Sequence, residues 1–206
     1  MTSQQAQFCE PPHAVSDATL DRPFRDAATC RKWLDQKVST ALLMAVYDLT
    51  RFGPTASDIT PLRIVFVVSA QAKARLKPHL SQANVPQSME APLTAILGYD
   101  VDIPRPLPFL YRDDPEANSK FSGPQADIVL ALRNASLQGG YFILAARALG
   151  LDCGPLGGFD HAGIDAEFFA GTTIKSNFLC NLGYAAREGR PAPSPCLDFD
   201  EACQIL

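Results

Sequence analysis

A short glycine-rich loop follows a long apolar segment, and it contains the residues best suited to bind a ligand: Gly154, Pro155, Gly157 and Gly158. Because glycine carries no side chain, the main-chain N–H groups of such a loop can approach a flat, electron-rich molecule closely. N–H groups aimed at the N5 and O4 atoms of a flavin would stabilise the negative charge that builds up there on reduction. The loop therefore predicts a cofactor site with a flavin as its ligand. A helix C-cap followed by a tight turn is the alternative, which the residues alone leave open.

A second group with binding potential lies near the N-terminus, in the sequence FRDAATCRKW. A short helix predicted over residues 26–33 would place Arg25, Thr29 and Arg31 at or near its first turn. Cationic side chains and a hydroxyl at a helix start can hold a phosphate through charge-assisted hydrogen bonds. A solvated basic surface is the common alternative interpretation.

The third group is the polar segment FGPTASDITP, residues 52–61. Its prolines make it rigid, and it carries hydroxyls at Thr55, Ser57 and Thr60 directly before a predicted buried strand. A loop of this kind can present hydroxyls and amides to the edge of a ring. An ordinary helix–strand connection with an Asx or Ser/Thr turn is the simpler interpretation when no other context is considered.

The sequence contains no recognisable catalytic or metal-binding set, and the catalytic residues stay unassigned. His13, His79 and His161 lie far apart, and the six cysteines include no C-x-x-C pair and no histidine at zinc-ligand spacing. We expect no metal, no disulfides, and Cys180 as a small core residue. The chain has no G-x-S-x-G, P-loop or G-x-G-x-x-G motif, which argues against a Rossmann-type nicotinamide domain.

Composition and charge narrow the class of protein. The chain has 206 residues, a net charge of −4 and a pI near 5.3. This suits a single domain and gives no electrostatic footprint for nucleic acid or an anionic membrane. We expect no stretch to reach the ~20 apolar residues of a membrane span. The N-terminal sequence has no basic start or apolar run, so we expect no secretory signal and a cytoplasmic location.

Periodicity predicts the elements that position these groups. Apolar residues recur at helical spacing after Ser39, a suitable N-cap, and this helix would stop at Gly53. Other helices are predicted over 26–33, 70–83, 124–149, after Asp160, and after Asp198 or Asp200. Apolar, β-branched runs predict strands over 62–69, 94–99 and 177–184. We expect the first of these strands to be central in its sheet.

The predicted helices and strands do not alternate in a regular βαβ rhythm, which indicates an α+β architecture. Residues 1–22 have little periodicity and are predicted to form an N-terminal arm, with one domain over residues 23–206. Residues 101–123 contain four prolines and no clear period. A connection of this length is typical of a lid, a substrate loop or a dimer element.

The stretch 133–184 closely resembles the nitroreductase superfamily, most of all its malonic semialdehyde reductase (3-hydroxypropionic acid dehydrogenase-like) branch. The matching words are RNASLQGGYFILAARALGLDCGP, GFD, AEFFAG and KSNFLCNLGY, with LDFDEAC downstream and YDLTRFGPTAS and VFV upstream. The resemblance implies a nitroreductase-like fold, with a mixed central sheet flanked by helices, in an intertwined homodimer. It also implies FMN at the subunit interface and ping-pong hydride transfer from NADH or NADPH to a small-molecule electrophile.

The resemblance implies roles for individual residues. Gly157 and Gly158 match amides near flavin N5 and O4. Thr29 matches the Ser/Thr of an N-terminal phosphate motif, and Arg31 matches the basic residue beside the phosphate or the pyrimidine edge. Residues 54–56 match the loop that lies against the ring. The residues expected to bind the cofactor are Arg25, Thr29, Arg31, Pro54, Thr55, Ala56, Asp58, Pro155, Leu156, Gly157 and Gly158.

The chain departs from the family motif at three places. Ala28 stands where the family usually has arginine, Asp58 where the ring-facing loop has asparagine, and Cys196 where relatives supply a basic residue to the phosphate. Each charge-assisted hydrogen bond lost costs roughly 1.5–3 kcal/mol, and Asp58 would repel a reduced, anionic flavin. Arg25 is a candidate to compensate for the lost arginine.

Two functions are favoured by the sequence over a third, a flavin carrier or storage protein, against which the weakened phosphate site argues. The first is an FMN-dependent NAD(P)H oxidoreductase that reduces an aldehyde such as malonic semialdehyde, a quinone, an enone or a nitro compound. The second is a diverged homologue with a degraded FMN phosphate site, which acts without flavin as a repurposed enzyme or a binding protein.

Overall fold

The structure is a computed structural model that describes residues 14–102, 124–186 and 195–206. The expectations for the N-terminal arm before residue 14 and for the connection over 103–123 lie outside the described residues. Within the described ranges the helices are α1 Asp17–Leu20, α2 Thr40–Thr50, α3 Ala70–Leu76, α4 Val85–Glu90, α5 Pro124–Ala148, α6 His161–Phe168 and α7 Phe199–Ala202. A π-helical turn, Asp21–Arg25, extends α1.

In the part of the chain that the structure describes, four strands form one sheet: β1 Leu62–Val67, β2 Leu93–Asp100, β3 Asp152–Leu156 and β4 Ile174–Gly183. Their order is β1-β2-β4-β3, and each neighbouring pair is antiparallel. The α+β architecture is confirmed, but the described sheet is antiparallel throughout and not mixed. β1 is an edge strand, so its predicted central position was wrong. Its apolar run indicated burial on both faces, and helices provide that burial even at an edge.

β3 is a strand that the sequence did not indicate. Its sequence, DCGPL, contains a glycine and a proline, which are depleted in strands and were interpreted as a loop. Proline is tolerated in an edge strand, where its missing N–H costs no ladder hydrogen bond. The predicted glycine loop is therefore the end of a strand followed by a turn.

Helices cover both faces of the sheet. On one face α2 and α5 pack through Val46, Ala135 and Phe142 against strand residues such as Leu97 and Cys180. On the other face α3 and α6 pack against a second cluster, whose buried members are Val67, Leu76, Leu80, Ile96, Leu156, Ile164, Phe169 and Leu179. The sheet is thus the middle of three layers, each side burying its own apolar core.

The α5 helix is long and apolar. Residues Ile128–Ala148 within it meet the length and composition of a membrane-crossing helix, so the expectation that no segment would do so was wrong. Its buried side chains lie against the sheet, and Gly139 allows close approach, because a Cβ there would lie 2.7 Å from the Phe178 ring. Packing against the sheet accounts for the apolar residues on one side of this helix, whereas Leu137 and other apolar side chains on it are exposed.

Two helix starts were predicted correctly. Ser39 caps α2, since its hydroxyl accepts a hydrogen bond from the Leu42 N–H at 3.2 Å. Asp198, one of the two candidates, caps α7 in a capping box with Glu201. In contrast, residues 26–33 are not helical, and the helical residues of this region lie before them.

Candidate functional site

The non-helical segment after residue 26 runs beside the edge strand β3. The Cys30 N–H donates to the Cys153 carbonyl at 2.9 Å, and Trp33 forms a bridge with Ala185. These backbone groups bond to the sheet, so they are not available for the helix that the sequence predicted. The contact is possible because residue 154 is glycine: a Cβ there would lie 2.5 Å from the Cys30 carbonyl oxygen. The structure therefore places Thr29 and Arg31 beside β3.

The turn after β3 is fixed on one side and open on the other. The Gly158 carbonyl accepts hydrogen bonds from the Ser81 N–H and the Asn84 side chain, both at 3.0 Å. A Cβ on Gly158 would lie 2.7 Å from Asn84 Nδ2, whereas a Cβ on Gly157 would meet nothing within 4 Å. Both glycines are exposed in the single protomer. The turn therefore leaves space for a ligand in front of Gly157.

This difference between the two glycines gives a prediction. Gly157→Ala should change the free energy of unfolding by less than about 0.5 kcal/mol, because the added methyl group enters open space. Gly158→Ala should cost about 1 kcal/mol, because Asn84 must move and lose its hydrogen bond. Chemical denaturation of both ligand-free variants measures this. Equal stability of the two variants would contradict the arrangement of the turn.

The candidate phosphate ligands differ in their availability. Arg25 is exposed and forms ion pairs with Asp21 at 2.7 Å and Asp17 at 2.8 Å. Hydrogen bonds to Asp21 and then to Asp17 raise the pKa of Arg25 above its ordinary value. Arg31 is also exposed, and it has no ion pair with any residue in the described ranges. Arg31 is therefore the more available cation of the two.

The surroundings of Ala28 show how this part of the chain is held. Ala28 lines a small cavity of about 70 Å³ with Arg22, Arg147 and other residues. Arg22 donates to the Arg147 carbonyl at 2.9 Å and to the Gly150 carbonyl, and Arg147 donates to the Pro23 carbonyl at 3.2 Å. Both arginines therefore fasten the N-terminal segment to the end of α5.

Residues 54–61 form a strained loop before β1. Ser57, Asp58 and Thr60 have φ angles of 49°, 45° and 40°. Positive φ costs a non-glycine residue on the order of 1–3 kcal/mol, and such conformations persist only where the surrounding structure determines them. Asp58 is exposed, whereas Ile59 is buried in a small cluster with Ala131.

The sheet order separates this loop from the other candidate residues. The loop leads into β1, and the Gly157 turn follows β3, so the two lie at opposite edges of the sheet. Three strand spacings correspond to roughly 14 Å. One protomer therefore brings Thr29 and Arg31 together with β3, but it does not bring residues 54–58 to them.

Several supporting residues were missed by sequence reasoning. Asn134 Oδ1 accepts from the Ala56 N–H at 2.7 Å, and Gln138 Oε1 accepts from the Leu62 N–H at 3.1 Å. Both amides are almost fully buried on α5. The sequence signal for both was their spacing, since Asn134 and Gln138 are polar residues four positions apart in an otherwise apolar helix. Trp33 Nε1 is buried without a hydrogen-bond partner, which no sequence pattern indicates.

Burial and neighbouring groups shift the pKa values of two other side chains near the sheet, Cys180 and Tyr99. The Cys180 thiol is fully buried, as predicted, and a hydrogen bond with Cys153 together with burial raises its pKa well above the ordinary value. Burial and the charge of Asp165 raise the pKa of Tyr99. The described residues contain no group of three or more His, Cys, Asp or Glu side chains that could hold a metal. What β3 and its neighbouring segment offer is amides, a hydroxyl and a guanidinium.

These groups fit an elongated ligand with a planar ring at one end and an anion at the other. An anion would lie near the hydrogen bond from the Cys30 N–H to the Cys153 carbonyl, and a ring would lie at the open space in front of Gly157. Four residues of strand separate Cys153 from Gly157, which corresponds to roughly 13 Å. FMN has this combination of a ring system, a linker and a phosphate.

Comparison with known proteins identifies the family. The model of the nitroreductase family matches residues 25–184. A protein of Caulobacter sp. (strain K31), provisionally named NADH dehydrogenase/NAD(P)H nitroreductase, is 53% identical over 192 residues, covering 93% of this chain and 98% of that protein. A Stenotrophomonas maltophilia (strain K279a) protein of the same provisional name is 53% identical over 194 residues, covering 94% and 98%.

Solved structures share the fold. A provisionally named nitroreductase from Exiguobacterium sibiricum, in complex with FMN, has a TM-score of 0.82 at 19% identity and covers 94% of this chain and 99% of that one. The enone reductase CLA-ER has a TM-score of 0.79 at 18% identity, with coverage of 94% and 100%. The nitroreductase-like fold expected from the sequence is confirmed. Because the family model matches most of the chain and relatives are more than half identical over nearly all of it, the chain belongs to the nitroreductase family.

Proposed function

We propose that the protein is an FMN-dependent NAD(P)H oxidoreductase that reduces a small electrophilic molecule. The observation that carries the proposal is the β3 edge, where an exposed arginine and threonine lie beside a strand that ends in an open glycine turn. Bound FMN supplies hydride chemistry that amino-acid side chains cannot supply. The provisional names of the curated relatives, NADH dehydrogenase/NAD(P)H nitroreductase, support the same activity.

Each predicted site residue has a distinct task in this proposal. Thr29 and Arg31 bind the phosphate by a hydroxyl hydrogen bond and by charge. Pro155 and Leu156 form the strand along which the ligand lies. The N–H groups of the turn at Gly157 and Gly158 orient the ring edge and stabilise negative charge on it. Arg25 is already paired with Asp17 and Asp21 of its own helical segment, so we assign it no direct contact with the phosphate.

We further propose that the site is shared by two copies of the chain in an intertwined homodimer. A second copy would supply the loop containing Pro54, Thr55, Ala56 and Asp58, which lies at the opposite edge of the sheet from β3. Exposed apolar side chains on α2 and α5 give such a dimer a surface to bury: Met44, Tyr47, Leu49, Ile128, Val129, Leu132, Leu137 and Tyr141. One edge of β1 pairs with no strand of the described residues, and it is a further contact surface.

The substrate class follows from the resemblance. The matching words of the malonic semialdehyde reductase-like branch support a small aldehyde, and quinones, enones and nitro compounds are the other acceptors within reach of a flavin. The reductant is NADH or NADPH, and the proposed location is the cytoplasm.

One observation favours a second candidate function. Ala28 lacks a basic group, and Arg25 is already paired with two carboxylates. Both features reduce the number of cationic groups available to an FMN phosphate. They are compatible with a diverged homologue that acts without flavin, as a repurposed enzyme or a binding protein.

The two candidates predict different properties of the purified protein. If the first is correct, the protein is yellow, binds one FMN per chain, oxidises NADH or NADPH when an acceptor is added, and has a mass in solution near twice 22.3 kDa. Absorbance spectra, an acceptor panel and light scattering measure these properties. Colourless protein that takes up no added FMN would reject the first candidate and favour the second. A monomer would reject the shared site.

A further inference from the structure

The strained loop before β1 is held by side chains of α5 and β1. Ser57, Asp58 and Thr60 are the non-glycine residues with positive φ among those the structure describes. Two buried amides of α5 fix the ends of the loop, at Ala56 and at Leu62. Because the backbone conformation is unfavourable in itself, these contacts determine the shape of the loop.

Arg63 adds a third anchor at the point where the loop enters β1. Its Nη1 donates to the Thr60 and Leu62 carbonyls, each at 3.0 Å, and its Nη2 donates to Asp100 Oδ2 at 3.1 Å. One guanidinium therefore joins the loop, β1 and the neighbouring strand β2. Lysine could not make this set of bonds, because its ammonium group is a single point.

Asp100 is itself fixed in direction. It is 7% exposed, and its Oδ1 accepts from the Thr173 hydroxyl at 2.6 Å and from the Asp102 N–H at 3.1 Å. Its own N–H donates to the Pro61 carbonyl at 2.9 Å. The Arg63 side chain is 34% exposed and that of Asp100 is 10% exposed. A partly exposed ion pair gains little net stability, because solvent screening and desolvation offset the attraction between the charges. Its clearest physical effect is to set the direction of the guanidinium.

We propose that the Arg63–Asp100 ion pair positions the strained loop for contact with the flavin ring. Arg63 holds the Thr60 carbonyl, and this keeps Thr55 and Ala56 in the conformation that contacts the flavin bound to a second copy of the chain. This inference rests on the proposed function, because it requires the loop to contact the cofactor. Arg63 and Asp100 are positioning residues that need not touch the ligand. The loop's shape, and with it flavin affinity, depends on them.

The test compares flavin affinity with stability in four proteins. They are the wild type, Arg63→Lys, the charge-neutral double variant Arg63→Met/Asp100→Asn, and the control Arg75→Met. The control removes the half-exposed Arg75–Glu167 ion pair on the other face of the sheet. Trp33 is the single tryptophan of the chain and packs against Gly154, so its fluorescence reports flavin binding in every variant.

We expect the double variant to bind FMN at least tenfold more weakly than the wild type, Arg63→Lys to lie between them, and the control to bind within twofold of the wild type. The visible circular dichroism of bound FMN should change in the same order. Thermal unfolding of the ligand-free proteins should place the double variant and the control close together. Because Arg63→Lys keeps the charge pair, its affinity decides the question if the double variant does not fold.

The outcomes separate this inference from the proposed function. Wild-type protein that binds FMN, together with variants of unchanged affinity and spectrum, overturns the inference alone. A fall in unfolding temperature with unchanged affinity shows a purely structural ion pair and also overturns it. Wild-type protein that binds no FMN removes the proposed function, and the inference falls with it.

Discussion

Replacing Arg31 with alanine is expected to weaken FMN binding by roughly tenfold to a hundredfold and to leave riboflavin binding within about twofold. The two ligands differ by the phosphate, and a charge-assisted hydrogen bond to it contributes about 1.5–3 kcal/mol. Arg31 is exposed, lies beside the β3 edge and has no ion pair among the described residues, so the side chain is available for this contact. Titrations that follow Trp33 fluorescence with both ligands measure the effect.

Arg25→Ala is the matched control. It also removes an exposed arginine of the same segment, but Asp17 and Asp21 already hold that guanidinium. Affinity for FMN should therefore stay within about twofold of the wild type. If Arg25→Ala lost more FMN affinity than Arg31→Ala, Arg25 and not Arg31 would be the phosphate-binding arginine. An equal loss of FMN and riboflavin in Arg31→Ala would place Arg31 at the ring and not at the phosphate.

Gly154→Val is expected to remove flavin binding and to lower the unfolding temperature by about 2–12 °C. A Cβ at this position would lie 2.5 Å from the Cys30 carbonyl oxygen and 3.2 Å from the Trp33 ring. Overpacking of this kind costs about 1–3 kcal/mol or more, and 1 kcal/mol corresponds to about 2–4 °C for a chain of this size. The segment carrying Thr29 and Arg31 must move away from β3, which separates the two ends of the site. Calorimetry and flavin titration measure the two effects.

Gly157→Val is the companion variant, because its side chain enters open space at the other end of the same strand. It should keep the unfolding temperature of the wild type. Retained flavin binding in Gly154→Val would show that the segment beside β3 is not part of the site.

The sequence was informative where a pattern is local. The spacing of apolar residues located α2 and α5, and the polar residues Ser39 and Asp198 marked helix starts. The loop of residues 52–61 was recognised as polar and rigid. Each of these signals depends on residues close together in the chain, where propensity and periodicity act.

What could not be predicted depends on contacts between distant residues. β3 is a strand because it pairs with β4, and its glycine and proline conceal that pairing. Residues 26–33 are not helical, because the Cys30 N–H donates to the distant Cys153 carbonyl. The pair Asp21 and Arg25 has the spacing of a helical ion pair, yet only the structure shows that Asp17 binds the same guanidinium. The edge position of β1 follows from strand order, which no single segment encodes.

The hydrogen bonds between the N-terminal segment and the end of α5 have a consequence for folding during synthesis on the ribosome. Arg22 bonds to carbonyls that lie 125 and 128 residues further along the chain. A nascent polypeptide that stops short of Gly150 cannot complete these bonds, however well its first strands have paired. The N-terminal segment is synthesised early, but it can dock only after most of the chain has been translated. In chains truncated within α5, we expect this segment to be cleaved by proteases.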